Sequence, residues 1–180
     1  MVQIDKLLGN RKLLKLLLFL ATQSSKELSY TELRKKTGLA KATLTKWLSY
    51  LEKENLIFMR RIGRNKLYTL NTGNFLVRQL KIFFTLVSLR FMADLSKKHG
   101  FEAYLFGSSA RGEDVLESDV DILILGDIHK ENIIAPVSQE AKKLKKNIKL
   151  QIFTRGEWVR MRDKDRAFYE RVEKDKILLQ

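Results

Sequence analysis

Leucine recurs at helical spacing near the start of the chain: Leu13, Leu14, Leu17 and Leu18, with Phe19 and Leu20, give residues 11–21 one apolar face. That period predicts a helix buried along one side. A second helix is predicted over Leu28–Thr37, where Ser29 followed by Glu32 has the form of a capping box and Gly38 supplies the stop. Lys41–Lys53 reads as a third helix. Leu44, Leu48 and Leu51 share one of its faces, while Lys41, Thr45, Lys46 and Ser49 lie largely on another. Trp47 and Tyr50 fall at helical spacing and read as packing residues. The period then shortens. Leu56–Arg60 and Lys66–Leu70 read as two strands around the glycine-containing turn Arg61–Asn65, a hairpin whose tip carries Arg60, Arg61, Arg64 and Lys66.

After a polar break at Asn71–Asn74, residues from Phe75 to about Lys98 are apolar on more than one face and predict a single helix ~36 Å long at 1.5 Å per residue. Phe83, Phe84, Val87 and Phe91 spread around more of its circumference than one small domain covers, so a homodimer is expected. The remainder alternates: strand Glu102–Phe106, a Gly-Ser loop into a short helix, strand Val120–Leu125, helix Lys130–Lys146, strand Ile148–Phe153, and helices from Glu157 onward. Alternation of this kind is an α/β pattern. The cluster Lys142, Lys143, Lys145 and Lys146 reads as a solvated helix face.

Charge sharpens the division. The formal net charge is +14, and residues 1–74 carry 15 Lys and Arg against 5 Asp and Glu, a net of +10. The basic excess therefore belongs to the first part of the chain and points to a polyanion as its partner. The absence of cysteine excludes disulfides, thiolate zinc sites and a cysteine nucleophile, and fits a cytoplasmic setting. The apolar run Leu16–Ala21 is too short for a leader sequence. Arg78, Lys81, Arg90 and Asp94 interrupt the second apolar stretch, which would need ~20 apolar residues to span a bilayer. No membrane partner is expected.

Three helices followed by a basic hairpin is the winged-helix order, and residues 10–72 resemble the winged helices of many microbial regulators. The resemblance implies that Lys41–Lys53 is a recognition helix and the Arg61–Lys66 hairpin a wing, with double-stranded DNA as partner. A helix fits the major groove, and wing arginines meet phosphate or the minor groove. The expected DNA-binding residues are Lys41, Thr43, Thr45 and Lys46 on the helix, and Arg60, Arg61, Arg64 and Lys66 on the wing.

The most specific segment lies between residues 103 and 125. A buried strand delivers Gly107 and Ser108 to the start of a helix, where free amides favour phosphate oxygens and glycine lets the backbone come close. Beyond ten intervening residues stand Asp119 and Asp121, two apart on a strand and so on one face. Two adjacent carboxylates repel unless a cation sits between them, and the natural occupant is Mg²⁺ carrying a nucleoside triphosphate. A metal pair at such a site activates a hydroxyl and stabilises departing pyrophosphate.

Gly107, Ser108, Asp119 and Asp121, with Ala110-Arg111-Gly112, resemble the nucleotidyltransferase superfamily of DNA polymerase beta, most closely its minimal stand-alone branch. The resemblance implies that Gly107, Ser108, Ser109 and Arg111 contact the triphosphate and that Asp119 and Asp121 bind metal. The superfamily takes a third carboxylate from a later strand. Here that strand is Asn147–Thr154, and its candidate positions hold Lys149 and Gln151, of which Gln151 is assigned to the catalytic place without being able to act as a general base.

The expected fold class is α+β: an N-terminal winged helix-turn-helix over residues 1–74, a linker and dimerisation helix over 75–99, and a small α/β nucleotidyltransferase domain with a mixed sheet over 100–180. The expected function is a DNA-binding nucleotidyltransferase-fold protein that binds Mg²⁺ and a nucleoside triphosphate and transfers a nucleotidyl group to a macromolecular acceptor. By resemblance this is an antitoxin-like autoregulator with a toxin-type protein partner. The alternative is a non-enzymatic transcription regulator in which a degenerate domain senses nucleotide. A transferase acting on a small molecule is disfavoured by the small size of the domain.

Overall fold

The computed structural model describes residues 7–180, so the first six residues of the segment weighed as a leader lie outside the described residues. The chain divides into two compact units, Met1–Arg78 and Gln79–Gln180.

In the first unit, α1 (Arg11–Thr22) starts where the Asn10 side chain accepts from the Lys12 and Leu13 amides, both at 3.1 Å. α2 (Tyr30–Thr37) carries the expected capping box, with Ser29 and Glu32 bonded reciprocally, and Gly38 closes it. α3 (Lys41–Lys53) follows, then the antiparallel hairpin β2 (Ile57–Ile62) and β3 (Asn65–Leu70). The strands run further toward the tip than expected, leaving Gly63 and Arg64 as the turn. A two-residue strand, β1 (Leu28–Ser29), was not legible in the sequence and pairs with β3 at Tyr68 and Leu67. Leu13, Leu16, Leu17, Leu20, Leu33, Leu44, Leu48 and Leu51 are all buried, which is the leucine periodicity realised as a core. Trp47 is buried too, edge-on to Tyr50 at 5.9 Å.

The single helix expected from Phe75 to about Lys98 is two helices, α4 (Phe75–Ser88) and α5 (Phe91–His99). At the break the Leu89 amide is shared between the Thr85 and Leu86 carbonyls, at 3.0 and 3.1 Å, and the Met92 amide reaches only to Leu89 at 2.8 Å. Ser88 Oγ also donates to the Phe84 carbonyl at 2.8 Å, a back-bond that bends helices. The bend lets Leu89 and Met92 enter the core of the second unit, with Phe91 partly buried against it. Phe83 and Val87 remain exposed, so the uncovered apolar face is narrower than the sequence suggested.

The second unit is built on a four-stranded mixed sheet in the order β6-β5-β4-β7: β4 (Glu102–Phe106), β5 (Val120–Leu125), β6 (Ile148–Phe153) and β7 (Ile177–Leu178). β4 is antiparallel to β5 and β7, while β5 and β6 are parallel and joined through α7 (Glu131–Leu144). A parallel pair needs such a crossover. One sheet face, through Ala103, Leu105, Val120, Ile122 and Ile124, packs with Met92, Ile133 and Val137. The other, through Phe106, Leu123 and Leu125, packs with Trp158 of α8 (Arg155–Lys164) and Val172 of α9 (Arg166–Asp175). α6 (Gly107–Ala110) is the short helix after β4. Among the described residues no helix is long and apolar enough to cross a membrane.

Candidate active site

The motif residues meet because β4 ends where β5 begins. Phe106 pairs with Asp121, so Gly107, the next residue, turns away from the sheet directly beside the carboxylate. The approach is close: a Cβ at Gly107 would lie 2.8 Å from Asp121 Oδ2. The Gly107 backbone has φ +75°, a conformation that favours glycine. Glycine is thus required twice, once for the turn and once for the carboxylate against it. Of the serines in α6, Ser108 stays accessible, whereas Ser109 is buried at 2% exposure and its side chain faces the domain interior. Only Ser108 of the two presents a hydroxyl to a ligand.

Arg111 does not stand free beside this turn. Its guanidinium donates to Glu113 at 2.8 Å and to Asp175 of α9 at 2.9 Å, and these two carboxylates push its pKa up. In this state it ties the motif loop to the last helix.

Asp119 and Asp121 share a sheet face, as expected, but Asp119 already has partners. Its Oδ1 accepts from the Asn147 side chain at 2.8 Å, and its Oδ2 lies 2.5 Å from the Lys149 ammonium. These contacts, Lys149 first and Asn147 second, hold the Asp119 carboxyl below its ordinary range, and the Lys149 ammonium is raised in turn by Asp119. Asp121 moves the other way. Burial pushes its pKa up, Lys149 and Arg171 oppose this, and the charge of Asp119 adds to it. The two acids have divergent environments, a pattern common at functional sites.

The register of β6 decides what faces them. Asp121 pairs with Lys149, and Gln151 pairs with Leu123, two residues further along. Lys149 is thus the β6 side chain alongside the acids, and Gln151 is exposed beyond them. Among the described residues no group of three or more His, Cys, Asp or Glu is placed to hold a metal ion.

Sequence comparison gives this geometry a family. Residues 88–177 match the family model of the nucleotidyltransferase domain. The chain belongs to the nucleotidyltransferase domain family. Over residues 2–98 it belongs as well to a family described only as a domain of unknown function (DUF8612). No curated protein and no solved structure matches it.

Nucleotidyltransferase domains usually use Mg²⁺, and the residues of this one do not fit such a centre. The donor set is two carboxylates, of which Asp119 has both oxygens engaged by Asn147 and Lys149. A basic side chain holds the strand position beside Asp121.

One element that the sequence reading placed in solvent belongs to this neighbourhood. Lys146 reaches from the end of α7 to the carbonyls of Val115 and Leu116, at 3.2 and 3.4 Å, and so braces the loop between Gly112 and Asp119. The charge run at 142–146 gave no sign of it, because its partners are main-chain oxygens about 30 residues away.

Proposed function

We propose that the protein is a nucleotide-responsive DNA-binding regulator: its first unit is a winged helix that binds duplex DNA, and its nucleotidyltransferase domain binds a nucleoside triphosphate. The observation that carries the nucleotide half is the close approach of Gly107 to Asp121, which brings the accessible Ser108 and the acid pair to one edge of the sheet. Binding without transfer is favoured over transfer because Lys149 faces the pair where a third carboxylate would otherwise accept the acceptor's proton. Equilibrium dialysis with labelled ATP, CTP, GTP and UTP tests the binding. Incubation with α-labelled nucleotide and cell extract separates the readings, since a labelled protein product establishes transfer to a macromolecular acceptor. That outcome would support the antitoxin-like reading with a toxin-type partner, which rests on the intact Gly-Ser, ten residues, Asp-x-Asp spacing.

The winged-helix reading is supported by the order α1-β1-α2-α3-β2-β3 and by the basic residues of α3 and the hairpin. Lys41, Thr45 and Lys46 are exposed on α3 and Thr43 is half-buried. The Thr45 hydroxyl is within 3.1 Å of the Tyr30 hydroxyl, which also donates to the Lys41 carbonyl, so the start of the helix is braced by α2. On the hairpin, Arg60 is held by Glu27 at 2.5 Å. Arg61, Arg64 and Lys66 are exposed wing cations, which supports a role for them in meeting phosphate.

Replacing both Arg61 and Arg64 by alanine is expected to lower duplex affinity and to flatten the dependence of log K on log salt by about 1.8, since each lost phosphate contact removes a slope of about 0.9. Fluorescence anisotropy over a salt series measures this. An unchanged slope would take the wing out of the interface.

A homodimer is part of the proposal, with Phe83 and Val87, 51% and 52% exposed, as its apolar contact. Two copies would present two recognition helices to a palindromic site. Light scattering at micromolar concentration decides it.

A further inference from the structure

A base stands in this chain where the nucleotidyltransferase pattern calls for a third acid. β5 and β6 are parallel neighbours, and their register sets Lys149 directly beside Asp121, so the two side chains leave the sheet on the same face. The placement follows from strand pairing. The Lys149 Nζ then comes within 2.5 Å of Asp119 Oδ2, while Asn147, two residues earlier on the same edge of the chain, donates to Oδ1 at 2.8 Å. Each oxygen of Asp119 is thus engaged by one donor, from β6 or from the residue just before it.

Two carboxylates on one face repel each other, and a cation between them removes the repulsion. Lys149 supplies that cation without any metal. A tethered ammonium is present at high local concentration, and a divalent ion has to compete with it for Asp119. Divalent affinity depends on the number of ligand charges, and the ammonium cancels one of only two. Arg171 of α9 also bears on Asp121, so basic side chains approach the pair from the strand and from the helix above it.

We infer that Lys149 is the resident cation of this site: it holds the third-acid position, offsets one of the two charges of the Asp119–Asp121 pair, and makes nucleoside-phosphate binding there independent of a divalent ion. The last clause rests on the nucleotide-binding reading, and the first two do not.

The decisive comparison is a Mn²⁺ titration of the full chain without nucleotide, followed by electron paramagnetic resonance. Wild-type protein should show no binding at micromolar Mn²⁺. Lys149→Met, which removes the competing charge, should tighten binding by about 10-fold, and Lys149→Asp, which completes a three-carboxylate set, by about 100-fold. Micromolar Mn²⁺ binding by the wild type would overturn the inference. So would a Lys149→Asp protein that binds no better than wild type, and if that variant fails to fold, the Lys149→Met titration decides. In a second arm, ATP is titrated into the wild type with EDTA and with Mg²⁺. Affinities that agree within about threefold support metal-independent binding, and binding seen only with Mg²⁺ refutes it. Absence of ATP binding in both buffers would count against the nucleotide-binding reading, while the Mn²⁺ comparison would still decide the role of Lys149.

Discussion

Asp114→Ala should destabilise the second unit by about 3 kcal/mol, the lower end of what it costs to break a buried ion pair by deleting one partner. Lys81 of α4 is 3% exposed, and its ammonium bonds the Asp114 main-chain carbonyl and sits 3.2 Å from the Asp114 carboxylate. Lys146 adds a weaker contact to the other carboxylate oxygen at 3.9 Å. Alanine keeps the carbonyl but strands the ammonium without its counter-charge. Lys81→Met should cost less, because it takes the buried charge away and leaves Asp114 with Lys146. The double variant should lose much less stability than the two singles summed. Denaturant unfolding of the four proteins measures the cycle, and an Asp114→Ala protein within about 1 kcal/mol of wild type would disprove a stabilising role for the Lys81–Asp114 pair.

The pair also sets a pH dependence. Burial lowers the Lys81 pKa below the ordinary 10.5, and Asp114 partly restores it. Between the lowered folded value and 10.5 the unfolded chain binds more protons, so stability rises with pH across that alkaline window. In Asp114→Ala the restoring charge is gone, and the rise should begin at lower pH.

Gly107→Ala should reduce nucleotide affinity by at least about tenfold, equivalent to about 1.4 kcal/mol, and lower stability by about 1–2 kcal/mol from left-handed backbone strain. The added methyl would lie 2.8 Å from Asp121 Oδ2, so either the turn bearing Ser108 or the carboxylate must move. Gly100→Ala is the control. Gly100 has a similar φ of +69° with nothing within 4 Å of its added Cβ, so it bears the strain without touching the acids. Isothermal titration and thermal unfolding of both variants separate the effects. Equal loss of nucleotide binding in the two proteins would show that general strain, not the contact with Asp121, is responsible.

Much of this architecture was legible because single residues carry unambiguous physics. Ser29 and Glu32 announced α2, the leucines of α1 and α3 announced their buried faces, and Gly107, Ser108, Asp119 and Asp121 announced a turn facing an acid pair. What the sequence hid depends on pairing between distant segments. The break at Leu89 arises from shared carbonyls and a serine back-bond within a run that remains apolar throughout. The role of Lys149 depends on register, since a slip of two residues would have set Gln151 beside Asp121 and left the assignment made from sequence standing. The engagement of Arg111 by Asp175 spans 64 residues, and no local pattern encodes it.

The last strand also constrains the order in which the protein can be made. β4, which delivers Gly107, gains its second neighbour only when β7 pairs with Tyr104 and Leu105, and the Leu179 amide then bonds the Ala103 carbonyl at 2.8 Å. Emerging from the ribosome, the first unit has its whole hairpin once Leu70 is free, whereas the sheet of the second unit waits for residues 177–179. β4 and β7 are about 70 residues apart, a closure of the slow, non-local kind. A nascent chain in which residues 177–179 are not yet free would therefore hold every residue of the first hairpin while the sheet beside the acid pair still lacks β7.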